Sequence, residues 1–346
     1  MNAPELRSPG FAIIDRMAGR PQPDTAAEIA AGLLAPAASI SPKYFYDALG
    51  CRLFQAICEL PEYYVTRTEA AVFDTHREAI ARVAGTGKQL VDLGAGDCQK
   101  AAYWFPALEP HRYIAIDVAR GIVESALAEF TAEMPRTEFI GLIDDFSGTL
   151  ELSDVLNSEP VTFFYPGSSI GNFTPDEAVR FLAQTRRYCG PLSETTGSGP
   201  AATTGSGLPT TTGSGLLIGV DLVKDHEVLR RAYDDATGVT AAFNKNVLNH
   251  INKLAYADFD AGMFRHVGLF NPKESRIEMH LEATAACEVR LGNARRAFKA
   301  GERIHTENSY KYTVASFTAL LRRAGFGQVQ HWSDEKNWFG VFFASP

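Results

Sequence analysis

The sequence predicts an α/β protein with an open, mainly parallel sheet and a second, smaller α+β part. Three observations predict it. Residues 90–93, Leu-Val-Asp-Leu, form an apolar strand that breaks into Gly94-Ala95-Gly96 and then opens a helix. Further apolar strands at 113–116, 138–142, 161–165 and 216–222 alternate with helical stretches, the pattern of parallel βαβ units. The chain then closes with an amphipathic helix at 314–324 and an antiparallel pair at 326–332 and 338–344. Five α/β strands and that pair make a seven-stranded, Rossmann-like sheet.

Residues 1–23 are polar and Pro-rich at both ends and read as loosely ordered. A helix follows at 25–34, with Asp24 as its N-cap. A second helical stretch at 49–60 stops at Pro61, and a long helix runs from about Thr68 to Val83. Tyr44, Tyr46, Tyr63 and Tyr64 cluster here beside Asp, Glu and Arg. Tyrosine joins an apolar ring to a polar tip, which suits a pocket for a polar small molecule. Half-buried packing serves any one of these rings equally well.

Helices are expected at 101–109 and 119–134. The fourth strand ends in Pro166-Gly167-Ser168-Ser169-Ile170-Gly171-Asn172, a turn of small residues closed by an amide side chain. Thr174-Pro175-Asp176-Glu177 then caps a helix. TTGSG occurs three times, at a period of eight, within 193–215. That segment reads as a flexible surface loop with no catalytic role. Residues 225–254 are largely helical, and strands follow at 264–269 and 276–282, with a hairpin at 287–300. In 304–312 polar and apolar residues alternate, so a two-residue period places His305, Glu307 and Ser309 on one face. A polar ligand or a solvated sheet face would each account for that. The expected division is 12–67 with 223–311 as a substrate-binding domain, and 68–222 with 312–346 as the core.

The 346-residue chain is long enough for two domains. Its net charge of −8 argues against a nucleic-acid or acidic-membrane partner. No apolar stretch approaches the ~18 residues of a membrane span. The five cysteines (Cys51, Cys58, Cys98, Cys189, Cys287) are scattered, with no pairing or metal-ligand spacing, so no metal is expected. A cytoplasmic monomer with reduced thiols is the expectation.

The ligand turn narrows the chemistry. The dinucleotide fingerprint G-x-G-x-x-G lacks its third glycine, because Gln99 stands there. The acid Asp92 precedes the glycines, a second strand ends in Asp117, and Asp144-Asp145-Phe146 follows a third. An acid at the second strand end can accept from both ribose hydroxyls of an adenosine. Three acidic strand ends around a glycine turn point to S-adenosylmethionine (AdoMet), with S-adenosylhomocysteine as product. The alternatives are a Rossmann oxidoreductase and a silent AdoMet-binding module.

Longer strings carry a closer likeness: KYFYDALGCRLFQAICELPEYYVTRTE, LVDLGAGDCQK, YPGSSIGNFTP, DLVKDHEVLRRAYDDATGVTAAFNKNVL, RIEMHLEA and HTENSYKY. In these the chain resembles the ergothioneine-pathway L-histidine Nα-methyltransferase family over nearly its whole length. The TTGSG repeat is not a feature of that family. The resemblance implies three successive methyl transfers from AdoMet to the α-amino group of L-histidine, giving hercynine. It puts the substrate tyrosines at Tyr46 and Tyr63, the carboxylate-binding pair at Asn172 and Tyr233, and Gly167 near the amine. Glu307 and Ser309 would read the imidazole, with Met279 against the ring. AdoMet would be held by Tyr63, Gly94, Lys100, Asp117, Asp145 and Phe146. Some relatives methylate tryptophan-type amines, but a Glu and a Ser suit an imidazole N–H better than an indole. Another amino-acid N-methyltransferase is thus the rival within the class. An ammonium has no lone pair, so the amine must lose a proton before attack. Tyrosine is a weak base, so Tyr46 and Tyr63 are expected to orient the amine rather than deprotonate it.

Overall fold

The computed structural model describes residues 5–8, 10–18, 25–146, 148–190 and 213–346. Asp24 and all of the TTGSG segment but 213–215 lie outside the described residues. In chain order the elements are β1 (Glu5–Ser8), β2 (Phe11–Asp15), α1 (Thr25–Leu34), α2 (Ala48–Cys58), α3 (Val65–Ala84), β3 (Gln89–Leu93), α4 (Gln99–Ala102) and α5 (Phe105–Leu108). Then come β4 (Arg112–Asp117), α6 (Arg120–Glu133), β5 (Glu138–Ile143), β6 (Val161–Tyr165), α7 (Pro175–Arg187) and β7 (Gly215–Asp221). The remainder is α8 (His226–Ala232), α9 (Val239–Leu254), β8 (Phe264–Asn271), β9 (Arg276–Ala283), β10 (Cys287–Leu291), β11 (Ala294–Phe298), β12 (Arg303–Tyr310), α10 (Val314–Arg323), β13 (Gln328–Ser333) and β14 (Phe339–Ser345).

The main sheet runs β1-β2-β5-β4-β3-β6-β7-β14-β13. Strands β2 to β7 pair in parallel, and β14 and β13 are antiparallel. Within it stand the seven strands expected from the sequence. Two more are added at one edge, where β2 pairs in parallel with β5. β1 and β2 are therefore part of the sheet, which corrects the loosely ordered reading of those residues and the start of the substrate domain at residue 12. Ile13 is 2 % exposed within the core, and Asp15 and Arg16 tie the strand down through Arg120 and Asp144. Residues 90–93 and 161–165 are buried on both faces, so they read as continuous apolar runs. The helix expected at 101–109 is instead two single turns, α4 and α5, separated at Tyr103-Trp104.

From β3 the chain winds to β4 and β5 on one side; β6 and β7 lie on the other. This reversal opens a crevice beyond the carboxyl ends of β3 and β6. A capping box at the start of α7, with Thr174 and Glu177 bonded reciprocally, fixes the exit from the β6 turn. Such caps contribute about 1 kcal/mol.

The second part is built on a three-stranded antiparallel sheet in the order β12-β9-β8, beside the β10–β11 hairpin. Helix α9 packs across β8 and β9 and against α2, joining the N-terminal helices to this sheet. The strand at 304–312 is not a plain two-residue alternation. A bulge falls between His305 and Glu307: His305 pairs with His280, Glu307 with Met279 and Ser309 with Ile277. His305 therefore leaves the face of Glu307 and Ser309, correcting the shared face expected from the spacing. Its Nε2 instead lies 3.0 Å from Asn308 Oδ1.

Candidate active site

Gly94 and Gly96 both take positive φ, +71° and +53°, which lets the chain double back after β3. A Cβ on Gly94 would meet only Phe146 Cζ, at 3.7 Å, and one on Gly96 would meet nothing within 4 Å. The turn is thus an open backbone cradle with Phe146 at its rim. Asp117, at the end of β4, accepts the Gly96 N–H on Oδ2 and the Ala119 N–H on Oδ1, both at 2.9 Å. A carboxylate has about four acceptor positions, so each oxygen keeps a lone pair for a ligand hydroxyl. Asp92 sits beneath the turn, 2 % exposed, accepting the Tyr113 hydroxyl at 2.7 Å. Burial lifts its carboxyl to about 7, opposed by that bond.

Glu69 of α3 joins the cradle to the turn after β6. Its Oε2 takes Lys100 Nζ at 2.6 Å and its Oε1 takes the Gly167 N–H at 2.7 Å. Gly167 has φ +77°, and a Cβ there would stand 3.1 Å from Lys100 Nζ. Open glycines, an acid with free lone pairs at the second strand end and an aromatic at the rim suit an adenosine with a flexible, charged tail.

Beyond Gly167 lies a cavity open to solvent. Tyr46, Tyr63, Gly167, Asn172, Tyr233, Met279, Glu307 and Ser309 all line it, as do Phe54, Phe243 and Thr240. Residues more than 260 positions apart thus meet: Tyr46 enters with the segment before α2, Tyr233 at the end of α8, and Glu307 on β12. Tyr63 and Tyr233 meet edge to face, with ring centroids 6.0 Å apart. Tyr46 is 42 % exposed and lines the cavity. Burial, with Glu307 nearby, pushes its hydroxyl well above the usual tyrosine range; burial does the same to Tyr63. Burial also lifts the Glu307 carboxyl to about 7, opposed by the Lys311 ammonium.

Behind this wall lies a network that spacing alone did not single out. Asp221, at the end of β7, is fully buried and meets Lys311 Nζ at 2.7 Å, Lys224 Nζ, and the Tyr64 hydroxyl at 2.9 Å. Burial opposes its charge, but Lys311 and Lys224 prevail and hold its carboxyl below the usual range. Against the same partner Lys224 goes the other way: its burial wins and lowers it to about 8. Glu69 did carry a sequence signal. It is an acid on the buried face of α3 shared by Val65, Val72 and Phe73. Asp221 was visible as a strand end, while Lys311 looked like one more polar strand residue. On the sheet face turned away from the cavity, Glu278, His280 and His305 stand together. There Arg276 and Asn271 already occupy Glu278 Oε1.

Comparison with known proteins gives the family. The model of the family described as "Histidine-specific methyltransferase, SAM-dependent" matches residues 25–346. The chain is 40% identical over 332 residues to "Histidine N-alpha-methyltransferase" of Mycolicibacterium smegmatis, covering 93% of this chain and 96% of that protein. It is 35% identical over 324 residues to the protein of the same name from Mycobacterium tuberculosis, covering 92% and 94%. It is 27% identical over 297 residues to "Ergothioneine biosynthesis protein 1" of Neurospora crassa, covering 83% of this chain and 31% of that protein. The chain therefore belongs to the histidine-specific, S-adenosylmethionine-dependent methyltransferase family.

Proposed function

We propose that the protein transfers methyl groups from AdoMet to the α-amino nitrogen of L-histidine, three in succession, forming hercynine for ergothioneine biosynthesis. One observation carries the reading furthest. Glu307 and Ser309 stand in the same cavity as Asn172 and Tyr233, with Gly167 and two tyrosines among the lining residues. An amino acid with a nitrogenous ring needs those groups: acceptors for the ring, donors for the carboxylate, and room at the amine.

Gly94, Lys100, Asp117, Asp145, Phe146 and Tyr63 would hold AdoMet, with Asp117 taking the ribose hydroxyls. When bound, AdoMet would supply a methyl group on a sulfonium centre, for transfer to a neutral amine with S-adenosylhomocysteine as the neutral thioether left behind. Asn172 and Tyr233 would fix the carboxylate. Glu307 and Ser309 would fix the imidazole, with Met279 packed on it. The amine then lies between Tyr46, Tyr63 and the Gly167 turn. Both tyrosines stay protonated at neutral pH, because burial disfavours phenolate. They orient the lone pair, and the departing proton leaves to water. The residues at 25–67 and 223–311 would form the substrate side, and the nine-stranded sheet the AdoMet side.

The test is incubation with AdoMet and each amino acid in turn, with mass spectrometry of the products. Trimethylated histidine is expected. A methylated indole amino acid, with histidine unchanged, would overturn the reading.

A further inference from the structure

Lys311 follows β12 directly, and its side chain has no exposed surface. An ammonium has three protons. Here they point to Asp221 Oδ2 at 2.7 Å, Ser309 Oγ at 2.7 Å and Tyr233 Oη at 3.1 Å. Asp221 is held in turn by Lys224 and the Tyr64 hydroxyl, and its backbone N–H donates to Ser168 Oγ. Lys311 is thus anchored behind the cavity wall and acts on a ligand only through the two hydroxyls it touches.

Those hydroxyls lie 2.8 Å apart, and both accept from Lys311. Together they have two protons and one bond between them. One proton is used in that bond, and the other points into the cavity. In one arrangement Ser309 donates to Tyr233, Tyr233 donates to the ligand, and Ser309 keeps a lone pair for it. In the other Tyr233 donates to Ser309, both Ser309 lone pairs are filled, and only Ser309 has a proton to offer. A carboxylate at Tyr233 accepts but cannot donate, so it selects the first arrangement. Ser309 must then accept, and the ring nitrogen facing it must carry a hydrogen.

We propose that Lys311 is a positioning and specificity-determining residue: by filling one lone pair on each hydroxyl it strengthens Tyr233 as donor to the substrate carboxylate, and once that carboxylate is bound it leaves Ser309 a single acceptor position, facing the ring. The proposal rests on reading the cavity as the L-histidine site. Without Lys311 each oxygen regains a free lone pair, and the O–H that Tyr233 offers the carboxylate loses the ammonium that polarises it.

The experiment is titration calorimetry on the full chain saturated with S-adenosylhomocysteine. The ligands are L-histidine, histamine (which lacks the carboxylate) and the two ring-N-methylated histidines. The proteins are wild type, Lys311→Met, Lys311→Arg, Tyr233→Phe and the Lys311→Met/Tyr233→Phe double variant. Lys311→Met should bind L-histidine roughly 10- to 100-fold more weakly, the usual worth of a charge-assisted contact. Histamine and S-adenosylhomocysteine should change little. In the Tyr233→Phe background, Lys311→Met should cost little more, because Lys311 acts through that hydroxyl. Equal losses for histidine and histamine, or losses that simply multiply in the double variant, would overturn the proposal. Lys311→Arg keeps the charge opposite Asp221 and allows the same comparison if Lys311→Met does not fold. Wild type needs no variant: binding both ring-methylated histidines as tightly as histidine also overturns the proposal. If wild type ignores histidine and takes another amino acid, the site reading fails instead.

Discussion

The carboxylate of Glu69 accepts the backbone N–H of Gly167 at 2.7 Å, although the two lie in different elements of the fold. With its other oxygen on Lys100, Glu69 links the AdoMet cradle to the turn that would present the amine. Methyl transfer requires donor and acceptor to lie about 3–3.5 Å apart and aligned. A rigid link between the two turns serves that need.

Replacing this link should disturb both sides of the reaction. Glu69 is 1 % exposed, and Glu69→Ala leaves the half-buried Gly167 N–H and the Lys100 ammonium without this acceptor. A loss of about 2–3 kcal/mol is expected in urea unfolding. Glu69→Gln keeps the acceptor for Gly167 and gives up the ion pair, so it should lose less stability. Single-turnover rates should fall in both, more in the alanine variant. Rates equal to wild type in both would show that the link is only structural.

The Glu307 carboxyl gives a pH signature. Its ordinary value of 4.5 is raised to about 7 in the fold, first by burial. Below pH 4.5 both folded and unfolded chains hold the proton, and the group has no effect. Between 4.5 and 7 the folded chain holds it and the unfolded chain does not, so stability falls as pH rises. Above 7 the penalty is constant, about 3 kcal/mol. Glu307→Gln removes it. Without ligand, that variant should match wild type near pH 4.5 and become progressively more stable toward pH 8, in urea titrations across the range. The same variant should bind histidine more weakly, because it exchanges a charged acceptor for a neutral one.

The tyrosines give a kinetic signature. Because burial keeps both hydroxyls protonated past the usual range, neither is a base at neutral pH. The rise of kcat/KM with pH should therefore follow the substrate amine, with a model value of about 8. Tyr46→Phe and Tyr63→Phe should each lower kcat roughly tenfold or more through lost alignment. The midpoint of the rise should stay where it is. A midpoint displaced by more than one pH unit in either variant would make that tyrosine a proton acceptor.

Much of the sheet was legible because β3, β4, β5, β6 and β7 are apolar runs closed by glycine or acid, signals local to a few residues. β1 and β2 were not. Residues 11–15 are short and only Ile13 is buried outright, so their place depends on pairing with β5, far along the chain. The cavity residues could be named because they sit in unusual strings. Their grouping into one wall depends on α9 crossing β8 and β9. The two misjudged features share a cause. His305 was put with Glu307 and Ser309 by a two-residue period that a bulge interrupts. Lys311 was passed over because its importance lies in three partners, one of them ninety residues away at Asp221.

That bulge is itself pinned, and its pin gives the last prediction. Thr306 is the extra residue between His305 and Glu307, and it is 1 % exposed. Its hydroxyl lies 2.8 Å from Asn244 Oδ1 and 3.0 Å from the Met279 carbonyl, tying β12 to α9 and to its neighbour β9. The amide of Asn244 also donates to the His280 carbonyl, so one side chain of α9 holds the strand pair at the irregular register. Thr306→Ala removes the donor from a buried acceptor, and should cost about 1–2 kcal/mol in unfolding. More tellingly, it frees the backbone just before Glu307. The KM for histidine should rise while the KM for AdoMet stays as in wild type, because the cradle at Gly94 lies on another sheet. Thr306→Ser, which keeps the hydroxyl, should restore most of the histidine affinity. A rise in both KM values, or none in either, would mean that the bulge does not position Glu307.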